Sequence, residues 1–190
     1  MTDDLLAMLG HDLRNPGTTL VSCLEYLDEL VLDPDGREAL EDAQASLRQL
    51  QSAWARIDAL SGRSEPRWER VADVAPALGQ LAERAGANYE GPRHRLAPSG
   101  VVFIVEALVE CTRGATLTVS ERAVCVTDGR GPLPPQWRPV AFEARAQPQL
   151  KQLGRYARFV GLVAARQVAR QLGLELRATE RSLFELELPP

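Results

Sequence analysis

His11-Asp12-Leu13-Arg14-Asn15-Pro16, or HDLRNP, lies in a segment of helical periodicity that covers residues 3–33. Apolar residues there recur at spacings of three and four, which places them in a narrow stripe on one helix face. His11 points away from this stripe, about 170° around the helix, and Asn15 follows one turn later on the same outward face. The helix therefore presents an imidazole to solvent, with a carboxylate beside it and an amide one turn away. The stripe consists of Leu6, Leu9, Leu13, Leu20, Leu24, Leu27 and Val31.

This set of side chains suits phosphoryl transfer. A neutral imidazole is a good nucleophile near pH 7 because its ordinary pKa is about 6.5. Asp12 could accept a hydrogen bond from the second ring nitrogen of His11 and stabilise the developing imidazolium. Asn15 could orient a water molecule or hold a phosphoryl oxygen, and Pro16 is expected to bend the helix just below the site. On spacing alone, an ordinary exposed histidine beside an aspartate explains the pattern equally well.

A second helix is predicted after the run Asp33-Pro34-Asp35-Gly36, which is expected to break the first helix and turn the chain. From about Arg37 to Leu60 an a/d heptad pattern follows, formed by Leu40, Ala43, Leu47, Leu50, Trp54 and Ile57. Two such helices make an antiparallel hairpin, and two helices alone cannot enclose a core. We therefore expect dimerisation through residues 3–60 into a four-helix bundle. The alternative is that the hairpin packs on the rest of its own chain.

The second half of the chain has a mixed pattern after a linker, GRSEP, at Gly62 to Pro66. We predict an α+β fold in which the helical hairpin, residues 1–62, precedes an α/β sandwich with a mostly antiparallel sheet, residues 63–190. The predicted elements are a strand leading into a helix at Val71–Ala85, an irregular segment at Gly86–Gly100, a helix at Val101–Cys111, a strand pair at Ala115–Val119 and Ala123–Thr127, a loop at Gly129–Pro139, a helix at Leu150–Leu172 capped by Gly173, and closing strands at Leu174–Ala178 and Leu183–Leu188.

Composition excludes several classes of function. The net charge of −4 gives no basic field for nucleic acid or an anionic membrane. No window approaches about 18 uninterrupted apolar residues, and the acidic start MTDDLLAMLG does not resemble a signal peptide, so we expect a cytoplasmic protein. Cys23, Cys111 and Cys125 each lie in an apolar run and are predicted to be buried thiols. With only two histidines in the chain, no metal site is expected.

HDLRNP resembles the H-box of sensor histidine kinases, and the two helical segments around it resemble their dimerisation and phosphotransfer hairpin. The resemblance covers about the first 62 residues. It implies that His11 is the phosphoacceptor and that Asp12 is the adjacent acid that assists transfer. It also implies that Asn15 occupies the position implicated in dephosphorylating partner response regulators.

The second half resembles the ATP-binding domain of the same family, but its magnesium box is altered. On the matching helix, Cys111 stands where the family has an asparagine that helps to hold magnesium on the nucleotide. A thiol is a poor ligand for this hard cation, which prefers oxygen. Glu110 is close by and could substitute for the missing oxygen ligand.

The glycine boxes are altered as well. Asp128 matches the aspartate that reads adenine, but Arg130 and Pro132 stand where the family has glycines that let the backbone turn under the nucleotide. In the last box Gly161 remains, whereas Val163 replaces the second glycine, which normally lets phosphates approach a helix N-terminus. The connection between these two boxes is also short for an ATP lid.

Together these changes favour a histidine phosphotransferase built on a kinase fold, which resembles proteins of the ChpT type and is expected to have no ATP or metal of its own. Its expected partners are response-regulator receiver domains and a hybrid or partner histidine kinase, and the receiver would supply Mg²⁺. Two alternatives remain: an active kinase whose sensor is a separate protein, and a pseudokinase scaffold that docks on a kinase or receiver.

Two further features have no assigned role. Arg166 and Arg170 are spaced i, i+4 on a predicted helix, where they could bind an acidic surface or simply be solvated. His94 lies in a predicted loop without an evident partner and is expected to be an ordinary surface residue.

Overall fold

The computed structural model describes residues 17–18, 20–30, 33–62 and 66–189. The chain divides into two compact units, Met1–Arg63 and Ser64–Pro190. His11, Asp12 and Asn15 lie outside the described residues, so the arrangement expected for them stays a prediction.

The described part of the first unit forms two helices, α1 at residues 17–18 and 20–28 and α2 at Pro34–Leu60. The start of α2 corrects the predicted break, because the carboxylate of Asp33 accepts a hydrogen bond from the backbone N–H of Gly36 at 2.7 Å. Asp33 is thus the N-cap, and Pro34 occupies the first helical turn, where its missing N–H costs nothing. Residues 29 and 30 form a turn, so α1 ends earlier than predicted.

The two helices of this unit contact each other at Gly17. A Cβ atom at Gly17 would lie 1.6 Å from Cη2 of Trp54, so only glycine fits against this ring. Leu40 and Leu47 are buried as the heptad pattern predicts, whereas Leu50 is 43% exposed. The dimeric four-helix bundle stays a prediction.

The second unit is a mixed α/β structure. Its helices are α3 (Pro66–Glu69), α4 (Ala75–Arg84), α5 (Gly100–Glu110), α6 (Gln147–Gln152) and α7 (Gly161–Gln171), and its strands are β1 (Val71–Asp73), β2 (Asn88–Glu90), β3 (Leu96–Pro98), β4 (Thr116–Val119), β5 (Ala123–Thr127), β6 (Leu176–Arg177) and β7 (Phe184–Glu187). Short 3-10 turns occupy Pro135–Trp137, Ala144–Ala146 and Arg158–Val160.

The main sheet has the strand order β2-β4-β5-β7-β6, and only the β2–β4 pairing is parallel. This confirms the predicted mostly antiparallel sheet. A separate antiparallel pair joins β1 to β3. Helices α5 and α7 pack on each other, and a Cβ atom at Gly100 would lie 2.8 Å from Cδ1 of Leu172, so the start of α5 closely approaches the end of α7. Leu108, Leu162 and Phe184 are fully buried in the core of this unit.

Two predicted segments are wrong in the second unit. The segment 86–100 contains the short strands β2 and β3, which three-residue patterns are too brief to reveal. The predicted long helix after Leu150 is interrupted between α6 and α7, because Gly154 adopts a left-handed backbone with φ +68°. The predicted cap at Gly173 is confirmed, since its φ is +67° and Leu174 N–H donates to Ala169 O at 2.8 Å.

Burial of the cysteines agrees only partly with expectation. Cys111 is buried and Cys125 is half-buried, but Cys23 is exposed on α1, as are Leu20 and Leu27 of the leucine stripe. Over the described ranges, every helix is too short or too polar to span a lipid bilayer.

Candidate functional site

The HDLRNP motif ends at Pro16, and the structure describes the chain from Gly17. Gly17 is buried against Trp54, and Thr18 is exposed. The outward face predicted for His11 and Asn15 lies outside the described residues.

Asp128, a site residue predicted from the sequence, is surrounded by hydrogen-bond donors. It follows β5 directly, and its side chain is fully buried. One carboxylate oxygen, Oδ1, accepts a hydrogen bond from the backbone N–H of Arg130 at 2.9 Å. The other, Oδ2, accepts from Nη2 of Arg130 at 3.0 Å and forms an ion pair with Nη1 of Arg155. Both oxygens of Asp128 are therefore already occupied by arginine donors.

The two guanidinium groups also bind backbone carbonyls from neighbouring segments. Arg130 donates to Gly154 O and to Cys111 O, each at 3.0 Å, and Arg155 donates to Gly131 O at 2.9 Å. These contacts join the end of α5, the loop after β5 and the turn after α6. We call Asp128, Arg130 and Arg155 the Asp128 cluster.

The electrostatics of the cluster favour the ionised carboxylate. Burial pushes the pKa of Asp128 upward, but hydrogen bonds from Arg155 and then Arg130 outweigh it and hold the pKa below its ordinary value. Asp128 is consequently a carboxylate at neutral pH, compensated from within the chain. Because the Asp128 side chain is fully buried, it offers no exposed oxygen to an external donor such as an adenine amino group.

Cys111 and Glu110 are also engaged within the fold. The Cys111 thiol is buried at the end of α5 and donates to Ala107 O at 3.2 Å, so it is directed at its own helix. Oε2 of Glu110 accepts a hydrogen bond from the backbone N–H of Arg158 at 3.2 Å. Within the described residues, no group of three His, Cys, Asp or Glu side chains could hold a metal ion.

The structure thus brings Cys111, Asp128 and Arg130 into one network, whereas Gly161 is the first residue of α7. Sequence reasoning missed Arg155. No sequence signal identified it, because Arg155 lies 27 residues from Asp128 and only the fold brings the two together. Gly154 was missed as well: its left-handed turn directs a carbonyl at Arg130, whose Nη1 would lie 3.0 Å from any Cβ there.

Val160, immediately before α7, is strained. Its φ of +49° is the left-handed region, which a β-branched side chain rarely adopts. Among the described non-glycine residues it alone has a positive φ. Its backbone N–H donates to the hydroxyl of Tyr156 at 3.3 Å, which helps to hold this conformation.

Replacing Val160 with glycine is expected to leave the free energy of unfolding unchanged or to raise it by about 1 kcal/mol, because the left-handed strain is removed. Val163→Gly, inside α7, is the matched control and should lower it by about 1 kcal/mol or more. Urea unfolding of both variants measures the difference. Equal destabilisation by the two substitutions would contradict the strain at Val160.

The expectation that His94 lacks a partner is wrong. Its Nδ1 lies 2.8 Å from Oδ2 of Asp73, whose Oδ1 accepts from the backbone N–H of Arg95 at 2.8 Å. The Arg95 hydrogen bond, followed by the His94 contact, lowers the pKa of Asp73. The imidazole is 87% exposed, so the pair lies on the surface of the second unit.

The solved structures similar to this chain include two histidine kinases and a bacterial phosphotransferase. Full-length ShkA in complex with AMPPNP matches 99% of this chain with a TM-score of 0.60 at 19% identity, and the chain spans 45% of ShkA. A blue-light activated histidine kinase from Erythrobacter litoralis, EL346, matches 97% of the chain at 14% identity and a TM-score of 0.40, over 59% of its own length. A bacterial phosphotransferase matches 99% of the chain at 17% identity and a TM-score of 0.39, over 96% of its own length.

No protein-family model and no curated protein matches the sequence. At 19% identity the likeness to ShkA shows the fold alone, which is histidine kinase-like. The chain spans less than half of ShkA.

Proposed function

We propose that this chain is a histidine phosphotransferase of the ChpT type that acts in a two-component phosphorelay. His11 attacks the phosphorus of a receiver aspartyl-phosphate, so that a P–N bond forms while the P–O bond to the receiver carboxylate breaks. Asp12 accepts a hydrogen bond from the second ring nitrogen and stabilises the imidazolium. Transfer to a second receiver reverses these bond changes, and Mg²⁺ is held by the receiver in both steps.

The observation that carries this proposal over an ATP-dependent kinase is the Asp128 cluster. The carboxylate of Asp128, which would recognise adenine in a kinase, is paired with two arginines of the same chain, Arg130 and Arg155. The helix that would hold magnesium ends in a buried thiol bonded to its own backbone. A phosphorelay protein needs neither ligand, because its phosphoryl donor is already an activated acyl phosphate.

Two further observations support the proposal. The histidine kinase-like fold is the type of structure expected for such a protein. The HDLRNP motif precedes two helices that contact each other through Gly17 and Trp54.

The proposal includes a homodimer formed through residues 3–60. Leu20, Leu27 and Leu50 belong to the apolar patterns of the two helices, yet 39% to 49% of each is exposed in the single chain. A second copy of the hairpin would cover such residues and complete a four-helix bundle.

Leu50→Glu is accordingly expected to convert the dimer to a monomer, because it would bury a charge in the bundle. Leu153→Glu is the matched control: Leu153 is equally exposed, at 42%, but lies in the second unit. Light scattering after size exclusion should give half the mass for the first variant and an unchanged mass for the second. A dimeric Leu50→Glu variant would place the interface elsewhere.

Phosphoryl transfer itself is tested with two donors. The chain is incubated with Mg²⁺ and γ-³²P-labelled ATP alone, and separately with receiver domains that carry a labelled aspartyl-phosphate. We expect label on the chain only in the second mixture, and no heat of binding when AMPPNP is titrated into the chain.

The two rivals give different results. Label from ATP alone would identify an active kinase. No label from any receiver of the organism, together with full cellular function of a His11→Ala variant, would identify a scaffold. Each of these outcomes rejects the phosphotransferase proposal.

A further inference from the structure

A groove in the second unit runs between α7 and β6, remote in sequence from HDLRNP. It consists of two adjoining cavities of about 270 and 330 Å³ that share Arg166, Glu175 and Leu176 as lining residues. Phe142 lines one end, and Arg170 lines the other. We call this the α7–β6 groove.

One wall of the groove is an open sheet edge. β6 is the last strand of the five-stranded sheet and pairs only with β7. The hydrogen bond from Glu187 N–H to Glu175 O, at 2.9 Å, makes these two residues a bonded pair of the ladder. Because bonded and non-bonded pairs alternate in antiparallel sheets, the backbone N–H and C=O of Leu176 face away from β7. Such an edge is a template for another extended strand.

The other wall carries two arginines of α7, whereas the carboxylate that lines both cavities, Glu175, pairs with Arg177 at 3.4 Å. Within the described residues, no carboxylate lies within 4 Å of the guanidinium of Arg166 or Arg170, the two arginines on successive turns of α7. The guanidinium carbon of Arg166 lies 5.7 Å from the centre of the Phe142 ring, which fixes it beside the groove.

The remaining arginines of the groove are already neutralised. Arg138 forms an ion pair with Glu180 at 3.0 Å, and Arg177 forms one with Glu185 at 2.6 Å. Arg177 also pairs with Glu187 at 2.8 Å. The charge available to a ligand is therefore that of α7, opposite the open edge of β6.

We propose that the α7–β6 groove binds an extended acidic segment of a partner protein, which adds as a strand to β6. Backbone hydrogen bonds to Leu176 supply the pairing, and side chains on one face of the added strand enter the two cavities. Acidic side chains on that face meet Arg166 and Arg170. This binding is independent of phosphoryl transfer through His11.

The proposal is tested on the full chain with a fluorescein-labelled octapeptide of alternating Glu and Val, followed by fluorescence anisotropy. A peptide of alternating Lys and Val, and a Glu-Val peptide N-methylated at every residue, are the controls, because the first reverses the charge and the second lacks the backbone donors. Arg166→Glu with Arg170→Glu is expected to weaken binding about tenfold or more. Arg84→Glu with Arg93→Glu, two exposed arginines elsewhere in the same unit, should change it less than about twofold.

Hydrogen exchange separates this mode from simple charge attraction. The Leu176 amide should exchange more slowly when the Glu-Val peptide is bound, and circular dichroism should show that both double variants keep their fold. Should the first double variant unfold, Arg166→Gln with Arg170→Gln takes its place. Absence of binding, equal binding of the N-methylated peptide, or equal loss in both double variants would overturn the proposal. Protection of Leu176 without peptide would also overturn it and would indicate pairing with a second copy.

Discussion

Asp128→Asn is expected to lower the free energy of unfolding by about 3 kcal/mol at pH 7. The substitution keeps the shape of the side chain but removes the charge that compensates Arg155, whose side chain is only 5% exposed. Without a counter-ion, no ion pair offsets the free-energy cost of desolvating a buried guanidinium. Arg130 is one-third exposed and contributes less. Urea unfolding followed by circular dichroism measures the change.

Glu143→Gln is the matched control for this prediction. Glu143 forms an ion pair with Arg145 at 2.6 Å, but the two side chains are 43% and 76% exposed. Loss of such a surface pair should change the unfolding free energy by no more than about 0.5 kcal/mol. Equal effects of Asp128→Asn and Glu143→Gln would mean that the Asp128 cluster is not a stabilising feature of the fold.

The same cluster predicts a pH dependence of stability. The folded-state pKa of Asp128 lies below its ordinary value of 3.8, so the folded state binds the proton less readily than the unfolded state. The stability that this difference provides is fully present above about pH 4 and is lost as the pH falls through the folded pKa. Between pH 7 and pH 3, the free energy of unfolding should therefore decrease less for Asp128→Asn than for the wild-type chain. Parallel curves would contradict the assignment.

His11→Ala is expected to reduce phosphoryl transfer from a labelled receiver by at least about 1,000-fold, because the substitution removes the attacking nitrogen. His94→Ala is a close control, since the chain contains only these two histidines. His94 lies in the second unit and contacts Asp73, so its loss should leave the transfer rate unchanged. Rates from rapid-quench samples of both variants give the comparison. Loss of transfer in His94→Ala with retention in His11→Ala would reverse the assignment.

Sequence patterns with a clear period predicted the secondary-structure elements correctly. The alternating runs before and after Ser120 became β4 and β5, which pair in antiparallel register. The apolar run from Val101 became α5, and the Gly173 cap ended α7 where expected. These features depend on neighbouring residues, and a local pattern therefore contains most of the information that determines them.

Features that depend on one backbone angle were harder to predict. An isolated glycine is tolerated within a helical pattern, so Gly154 gave no sign that it would separate α6 from α7. Asp33 and Pro34 belong to both turn and helix-start signals, and the hydrogen bond from Gly36 decides between them. Local sequence admits both outcomes in each case.

The candidate site was predicted only in its local part. The substitutions at Cys111 and Arg130 were visible in the sequence, and the structure joins both to Asp128. The pairing of Asp128 with Arg155 spans 27 residues, and no periodicity reports a contact of that separation. The roles predicted for His11, Asp12 and Asn15 stay predictions.

The most direct test of the phosphotransferase proposal is to locate the phosphoryl group on the wild-type chain after incubation with a phosphorylated receiver. The chain is digested at neutral to alkaline pH, which preserves phosphohistidine, and the peptides are sequenced by mass spectrometry. The account predicts one phosphopeptide, modified at His11, that disappears when a second, unphosphorylated receiver is added. A phosphoryl group on any other residue, or one that the second receiver cannot remove, would contradict it.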